Sequence, residues 1–223
     1  MHYSPELAKG YSNTREKFNE TDKDLVSALE TVGVQDKEIV DLGCGDGRHT
    51  RLIKEMGAQK VIGIDVNEKM IELAKEKNKN QNVEYFVSDG RDIPVEDFSQ
   101  DIVVSNFVVH YFHNSQEIFN EISRVLKQNG YFIGTFNITD VQEGSESLFN
   151  TEMPIRLGQG EQSIVVQNLI KSQDEIEEAI LNAGLVIKEE KELEHPNAVV
   201  DDSFPDKDKI KKRAVMMVLQ KIN

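Results

Sequence analysis

The chain has 223 residues, of which 38% are hydrophobic and 30% charged, and its formal net charge is −14 at pH 7. These proportions exclude global disorder, and the acidic balance disfavours nucleic acid as a partner because nucleic-acid binders neutralise phosphates with Lys and Arg. No apolar run approaches the roughly 20 residues of a membrane-spanning helix, and the first residues lack a signal-peptide pattern, so we expect a cytoplasmic protein without membrane contact.

From about residue 38 onward, short β-rich runs alternate with helical stretches. This alternation predicts an α/β fold with a parallel sheet flanked by helices. We predict strands at 38–42, 60–65, 83–88, 101–106 and 131–136. Helices are predicted at 48–56, at 68–74 after an Asn67 cap, and at 115–127, where Asn129-Gly130 is the expected stop.

The rhythm breaks at residues 138–171, which contain Pro154 and several glycines. We predict an insertion here, with one added strand at 163–167, that forms part of a substrate lid. A helix at 173–183 and strands at 185–189 and 214–219 complete the chain. Residues 1–35 are polar and helical in character and are expected to form an N-terminal cap. The whole chain, 1–223, is expected to be a single domain.

The most informative segment is the loop Asp41-Leu-Gly-Cys-Gly-Asp-Gly47, which follows the first predicted strand. Its glycines allow a sharp turn and a close approach of the backbone to a ligand, and the helix that follows presents free N–H groups to an anion. Dinucleotide-binding proteins use a similar turn, but with the spacing G-x-G-x-x-G, whereas this chain has G-x-G-x-G. Cys44 is the only cysteine, so the chain has no internal disulfide and we expect no metal site.

The run Val40-Asp-Leu-Gly-Cys-Gly-Asp-Gly47 resembles motif I of the class I S-adenosylmethionine-dependent methyltransferases, and the later motifs follow in the family's order. The resemblance covers residues 38–136 well and the rest loosely. It implies a Rossmann-like three-layer sandwich with a seven-stranded, mostly parallel sheet of order 3-2-1-4-5-7-6, in which strand 7 is antiparallel. It also implies an enzyme that transfers a methyl group from S-adenosylmethionine to a small-molecule acceptor.

The resemblance further implies which residues hold the cofactor. The turn of Gly43, Cys44 and Gly45 would lie against the methionine part, and Asp65 would accept the ribose hydroxyls. Cys44 has no adjacent base and is interpreted as a small packing residue of that turn. The other expected contacts are Asp41 and Asn106 near the amino group, Val66 and Met70 beside the adenine, Asp89 with Gly90 or Arg91 at the adenine edge, and Tyr11 and Arg15 from the N-terminal segment.

The segment after the fourth strand holds the candidate catalytic residues, His110 and Tyr111, with His113 nearby. A histidine could remove the proton of a hydroxyl acceptor, although His110 could equally be a packing residue beside the cofactor. Three other functions stay open at this point: a non-catalytic S-adenosylmethionine-binding regulatory protein, an RNA or protein methyltransferase, and an NAD-dependent oxidoreductase. The acceptor atom and the oligomeric state are not predicted.

Overall fold

The structure, a computed structural model, describes residues 20–78, 83–157, 163–193 and 198–222. The helices of this part are α1 (Glu20–Val32), α2 (Arg48–Glu55), α3 (Glu68–Lys77), α4 (Ser115–Val125) and α5 (Gln173–Asn182). Its strands are β1 (Glu38–Leu42), β2 (Lys60–Asp65), β3 (Val83–Val87), β4 (Gln100–Asn106), β5 (Leu126–Val141), β6 (Glu152–Leu157), β7 (Ile164–Leu169), β8 (Leu185–Leu193), β9 (Ala198–Val200) and β10 (Ile210–Lys221).

Seven of these strands form the main sheet, in the order β3-β2-β1-β4-β5-β10-β8. The first five are parallel to one another, and β10 is antiparallel to both β5 and β8. Counted along the chain within this sheet, the order is 3-2-1-4-5-7-6. The predicted fold class, strand order and antiparallel seventh strand are therefore confirmed.

Helices cover both faces of the main sheet, because its central strands are apolar on both sides. On one face, Phe119 of α4 and Ile176 of α5 pack with Phe132 of β5 in a fully buried cluster. On the other face, Leu29 of α1 packs with Ile53 of α2 in a second cluster. This three-layer arrangement leaves the ends of the strands as the accessible part of the sheet.

Parallel strands direct their carboxyl ends to the same edge of a sheet, which is where ligands bind in open α/β folds. Here β1, β2 and β4 end at Leu42, Asp65 and Asn106. The turns that follow them are therefore brought together, although they are widely separated in sequence. No helix of the described residues has both the length and the apolar composition needed to cross a membrane.

The predicted stop of α4 at Asn129-Gly130 is wrong. The helix ends at Val125, and Leu126 is already extended and pairs with Gln100 of β4. Asn129 adopts a φ of 63°, and the bend there returns the chain to register with β4 at Tyr131. The asparagine and glycine thus form a bend at the start of β5 rather than a helix terminus.

The predicted single strand of the insertion is β7, and the structure adds a second strand that the sequence analysis missed. β6 pairs with β7 in a hairpin and with β9 on its other side, giving a separate three-stranded sheet of order β7-β6-β9. Pro154 obscured β6, because proline is usually confined to the edges of sheets. The predicted N-terminal cap at 1–35 lies partly outside the described residues, and its described part contains the helix α1. The single-domain organisation stays a prediction.

Candidate functional site

A cavity of about 520 Å³ lies at the carboxyl edge of β1, β2 and β4. Its walls come from four segments, within residues 42–49, 64–70, 88–91 and 106–117. These segments include the glycine-rich loop, the end of β2 and the loop after β4. The structure therefore brings together most of the residues that the sequence analysis assigned to cofactor binding.

The three glycines of the loop have different roles. All three adopt positive φ values, 76° at Gly43, 55° at Gly45 and 77° at Gly47. A Cβ atom on Gly43 would lie 2.1 Å from Cγ2 of Val108, and one on Gly47 would lie 2.5 Å from the hydroxyl of Tyr85, so both glycines are required by packing. A Cβ atom on Gly45 would meet nothing within 4 Å. Gly45 is therefore the glycine that leaves backbone open to the cavity.

The carboxylate of Asp65 lies beside that exposed backbone. One oxygen accepts a hydrogen bond from the backbone N–H of Gly45 at 2.9 Å, and the other accepts one from Asn67 at 2.8 Å. Burial raises the pKa of Asp65, and these two hydrogen bonds oppose that shift. Each carboxylate oxygen can accept a second hydrogen bond, so Asp65 can still receive hydroxyl groups from a ligand in the cavity.

Asp41 lies beneath the loop and is not part of the cavity wall. Its carboxylate is buried and accepts a hydrogen bond of 2.6 Å from the hydroxyl of Thr50 in α2. Burial raises the pKa of Asp41, and His49 and Thr50 oppose the shift. The geometry supports a role in which Asp41 holds the loop against α2. Any influence of Asp41 on the amino group of a ligand would therefore be indirect, through the position of the loop.

Cys44 contributes to the cavity wall, but its side chain belongs to a buried cluster with Ile71, Ala74 and Tyr85. Burial and the nearby carboxylates raise the pKa of its thiol well above the usual value. The thiol is therefore not activated as a nucleophile, which agrees with its interpretation as a packing residue.

The predicted adenine side is partly assembled. Val66 and Met70 line the cavity, as do Asp89 and Arg91. Asp89 is ion-paired with Arg91, which lowers the pKa of its carboxyl group. The backbone N–H of Arg91 donates to Asp89 at 3.1 Å, and that of Gly90 donates to the Ser88 hydroxyl at 3.2 Å.

Both of these N–H groups are thus engaged within the turn. A ligand at this edge would have to displace those bonds or use the Asp89 carboxylate. Gly90 itself is buried and does not line the cavity. The role of this turn at the adenine edge stays a prediction.

The end of β4 forms another wall of the cavity through Asn106. Its side-chain oxygen accepts a hydrogen bond from the hydroxyl of Thr135 on the neighbouring strand β5. The same hydroxyl accepts the backbone N–H of Phe107 at 2.8 Å. This linkage holds the start of the loop after β4 against the sheet.

One of the two predicted catalytic residues lines the cavity and the other does not. Tyr111 lines the cavity, as does His113, but His110 does not. The His110 side chain is 1% exposed, and its Nδ1 accepts the backbone N–H of Asn137 at 3.4 Å. Direct proton transfer by His110 within this cavity is therefore not supported. The two rings pack against each other in a turn of 3₁₀ helix at Val109–Tyr111, with their centroids 4.5 Å apart, and the sequence pattern did not indicate which of them would reach the cavity wall.

Three features of the site were missed by the sequence analysis. Arg48 and His49 line the cavity at the start of α2, and their position directly after the glycine-rich loop was the available signal. Lys171 is buried and donates to the backbone oxygen of His113 at 2.8 Å. No local sequence pattern indicates this contact between Lys171 and His113, because the two residues are far apart in the chain. Tyr11 and Arg15 lie outside the described residues.

Residues 40–134 match a family model described as a methyltransferase domain. Ribosomal protein L11 methyltransferase of Dictyoglomus thermophilum is 38% identical over 97 residues, covering 43% of this chain and 31% of that protein. Malonyl-[acyl-carrier protein] O-methyltransferase of Hahella chejuensis is 29% identical over 150 residues, covering 67% of this chain and 50% of that protein. The match thus spans half or less of the length of these curated relatives.

A crystal structure of an S-adenosylmethionine dependent methyltransferase from Mesorhizobium loti has a TM-score of 0.62 and 18% sequence identity, covering 87% of this chain and 96% of that one. This likeness shows the fold. The family match extends from β1 into β5 and contains both the glycine-rich loop and Asp65. Residues 40–134 thus resemble a methyltransferase domain, and the fold of the chain is that of Rossmann-like S-adenosylmethionine-dependent methyltransferases.

Proposed function

We propose that this protein binds S-adenosylmethionine in the cavity at the carboxyl edge of the sheet and transfers its methyl group to a small-molecule acceptor. The observation that carries the proposal is the junction of Gly45 and Asp65. Backbone without a side chain faces open space there, and an oxygen of the half-buried Asp65 carboxylate, which has spare acceptor capacity, lies 2.9 Å from the Gly45 nitrogen.

The residues present fit this cofactor. Asp65 would receive the two ribose hydroxyls, and Val66 and Met70 offer apolar surface for the adenine. Arg48, at the start of α2, would face the carboxylate of the amino acid part, where the helix dipole also favours negative charge. When bound, the cofactor supplies an electrophilic methyl group on a sulfonium.

The protein's own contribution is alignment and the exclusion of water. Methyl transfer from a sulfonium is an in-line displacement, so it depends on positioning the acceptor atom. Tyr111 and His113 line the wall formed by the loop after β4. Tyr111 would position the acceptor. The residues after β4, the insertion and the N-terminal segment would together close the acceptor side.

The acceptor is proposed to be a small molecule, chiefly on electrostatic grounds. A net charge of −14 opposes binding of nucleic acid. The names of the two relatives above refer to different acceptors, ribosomal protein L11 and malonyl-[acyl-carrier protein]. The matches cover half or less of each relative, so they do not define the acceptor of this chain. We also propose a cytoplasmic location, in keeping with the expectation from the sequence.

The first test is a calorimetric titration of the purified protein with S-adenosylhomocysteine, with NADH as a competitor. We expect S-adenosylhomocysteine to bind and NADH to leave its affinity unchanged. Absence of S-adenosylhomocysteine binding would refute the proposed function, and competitive binding of NADH would support the oxidoreductase alternative.

The second test is turnover with S-adenosylmethionine and a panel of small acids, alcohols and amines. Methylation of any member would exclude the non-catalytic alternative. Ribosomal protein and transfer RNA belong in the same panel. Methylation of either one alone would contradict the proposal of a small-molecule acceptor.

A further inference from the structure

A second group of polar residues lies beyond the cofactor cavity, on the face of the sheet that α1 covers. Thr135, Asn137 and Thr139 alternate along β5 and therefore share one face. Lys212 of β10 lies directly opposite Thr139 in the antiparallel register, so it shares that face as well. We call Asn137, Thr139 and Lys212 the acceptor-side cluster.

The polar atoms of the acceptor-side cluster are not fully satisfied. Thr139 is buried, and its hydroxyl has no hydrogen-bond partner. The amine of Lys212 makes one long hydrogen bond, 3.5 Å, to the side-chain oxygen of Asn137. Burial lowers the pKa of Lys212 to about 8, and no carboxylate of the described residues offsets this. Buried polar groups in this state carry an energetic cost.

Lys171, which is fully buried whereas Lys212 is half-buried, shows how this chain satisfies an amine that has a structural role. Lys171 donates to the backbone oxygen of His113 and to the side chains of Asn150 and Glu175. Its charge is paired with Glu175. Lys212 lacks a comparable partner among the described residues, although the chain holds 40 acidic residues. The buried hydroxyl of Thr139, which has no protein partner, and the half-buried amine of Lys212 therefore leave two donors available to a ligand.

The charged residues beside Lys212 in β10 do not share its environment. Lys211 and Arg213 alternate with Lys212 and project from the opposite face of the strand. Arg213 is bound to Asp140 at 3.0 Å, and Lys211 is exposed. His110 contacts the cluster through Asn137. Lys212 is therefore the cation that the cluster itself contributes.

The acceptor-side cluster is connected to the cofactor cavity through two short paths. Asn137 contacts His110, and the next residue, Tyr111, lines the cavity. Along β5, Asn137 is two residues from Thr135, which binds the cavity residue Asn106. Two residues of a strand span roughly 7 Å. The acceptor-side cluster thus borders the residues that form the wall of the cavity after β4.

We propose that Lys212 and Thr139, with Asn137, bind the carboxylate of the methyl acceptor, so that the substrate of this enzyme is a small organic acid. The lysine amine and the threonine hydroxyl would each donate a hydrogen bond to the carboxylate, which satisfies both unpaired groups and neutralises the cation. This inference rests on the proposed function, because it names the acceptor class of that same site.

The test uses the wild-type protein saturated with S-adenosylhomocysteine and measures thermal stability during titration with acetate or malonate. Acetamide and malonamide are the uncharged controls. We expect the carboxylates to raise the melting temperature of the wild type and of Lys211→Met. For Lys212→Met we expect the response to require at least tenfold more carboxylate, and for Thr139→Val an intermediate weakening.

The inference is overturned if the wild type shows no response to the carboxylates, if the amides act equally well, or if Lys212→Met responds as the wild type does. Affinity for S-adenosylhomocysteine, measured on every variant, separates the two proposals. Failure of the wild type to bind S-adenosylhomocysteine refutes the proposed function. Normal S-adenosylhomocysteine binding without a carboxylate response refutes the acid acceptor alone.

Discussion

The ammonium group of Lys171 donates a hydrogen bond of 2.8 Å to the backbone oxygen of His113. Lys171 lies just beyond β7, at the end of the insertion, whereas His113 belongs to the loop that lines the cavity. Glu175 of α5 accepts from Lys171 and also from Ser115 at the start of α4. The insertion therefore helps to hold the wall of the candidate active site.

Replacing this lysine should weaken both stability and cofactor binding. In Lys171→Met, Glu175 and the backbone oxygen of His113 lose a charged donor. The free energy of unfolding should fall by about 1–3 kcal/mol, the cost of leaving such groups unmatched. Urea denaturation and titration with S-adenosylhomocysteine measure the two effects. Lys75→Met, at an exposed position of α3, is the matched control, and equal behaviour of the two variants would contradict the positioning role.

Alanine substitutions at two glycines should separate packing from ligand binding. Gly45→Ala places its Cβ atom in open space, so it should cost about 1–2 kcal/mol of stability, from the positive φ alone, yet reduce affinity for S-adenosylhomocysteine at least tenfold. Gly43→Ala adds a clash with Val108 and should lose more stability. Urea denaturation and calorimetry distinguish the variants. Unchanged affinity in Gly45→Ala would mean that the loop does not contact the ligand.

Removal of the Asp65 carboxylate should weaken cofactor binding. Asp65→Ala leaves the ribose hydroxyls and the Gly45 N–H without an acceptor, which corresponds to about 1–3 kcal/mol, or roughly a fivefold to 150-fold rise in the Kd for S-adenosylhomocysteine. Asp208→Ala, at an exposed position, removes an equal charge away from the site and should leave the Kd unchanged. A wild-type Kd in Asp65→Ala would remove this residue from the site.

The half-buried amine of Lys212 should make stability depend on pH in the alkaline range. Burial lowers its pKa from 10.5 to about 8. Between these values the unfolded chain binds a proton that the folded chain has released, so the free energy of unfolding rises with pH. The free energy of unfolding of Lys212→Met should therefore exceed that of the wild type by the largest amount at pH 8 and below. This difference should shrink as the pH rises toward 10.5.

Urea denaturation of both proteins across that range, with Lys211→Met measured in parallel, gives the comparison. A constant difference between wild type and Lys212→Met would show that the amine is not buried as described. Because carboxylate-bound Lys212 would keep its proton, the measurement requires buffers that lack carboxylates.

The elements of the cofactor half were predictable because their signals are local. The loop Asp41–Gly47 combines a strand end, closely spaced glycines and a helix start within a few residues, and Asp65 ends the next strand. Local order in parallel strands then implies that these ends share one edge. These local motifs also carry the family resemblance, which implied the strand order that the sheet shows.

The acceptor half could not be predicted to the same depth. Whether His110 or Tyr111 faces the cavity depends on the 3₁₀ turn that contains both. The strand β6 is recognisable only through its partners, and β9 pairs with it from more than 40 residues away. The pattern of apolar residues contains no information about such pairing.

By itself, the sequence determined the fold class and the glycine-rich loop, because these follow from patterns within short segments, and the order of the strands came from the family that these patterns resemble. Only the tertiary structure decided which glycine faces open space, that His110 is buried, and that Lys212 lies opposite Thr139 without a counter-charge among the described residues. The reason is physical: side-chain direction, burial and register arise from contacts between residues that are distant along the chain, and a local pattern does not contain them.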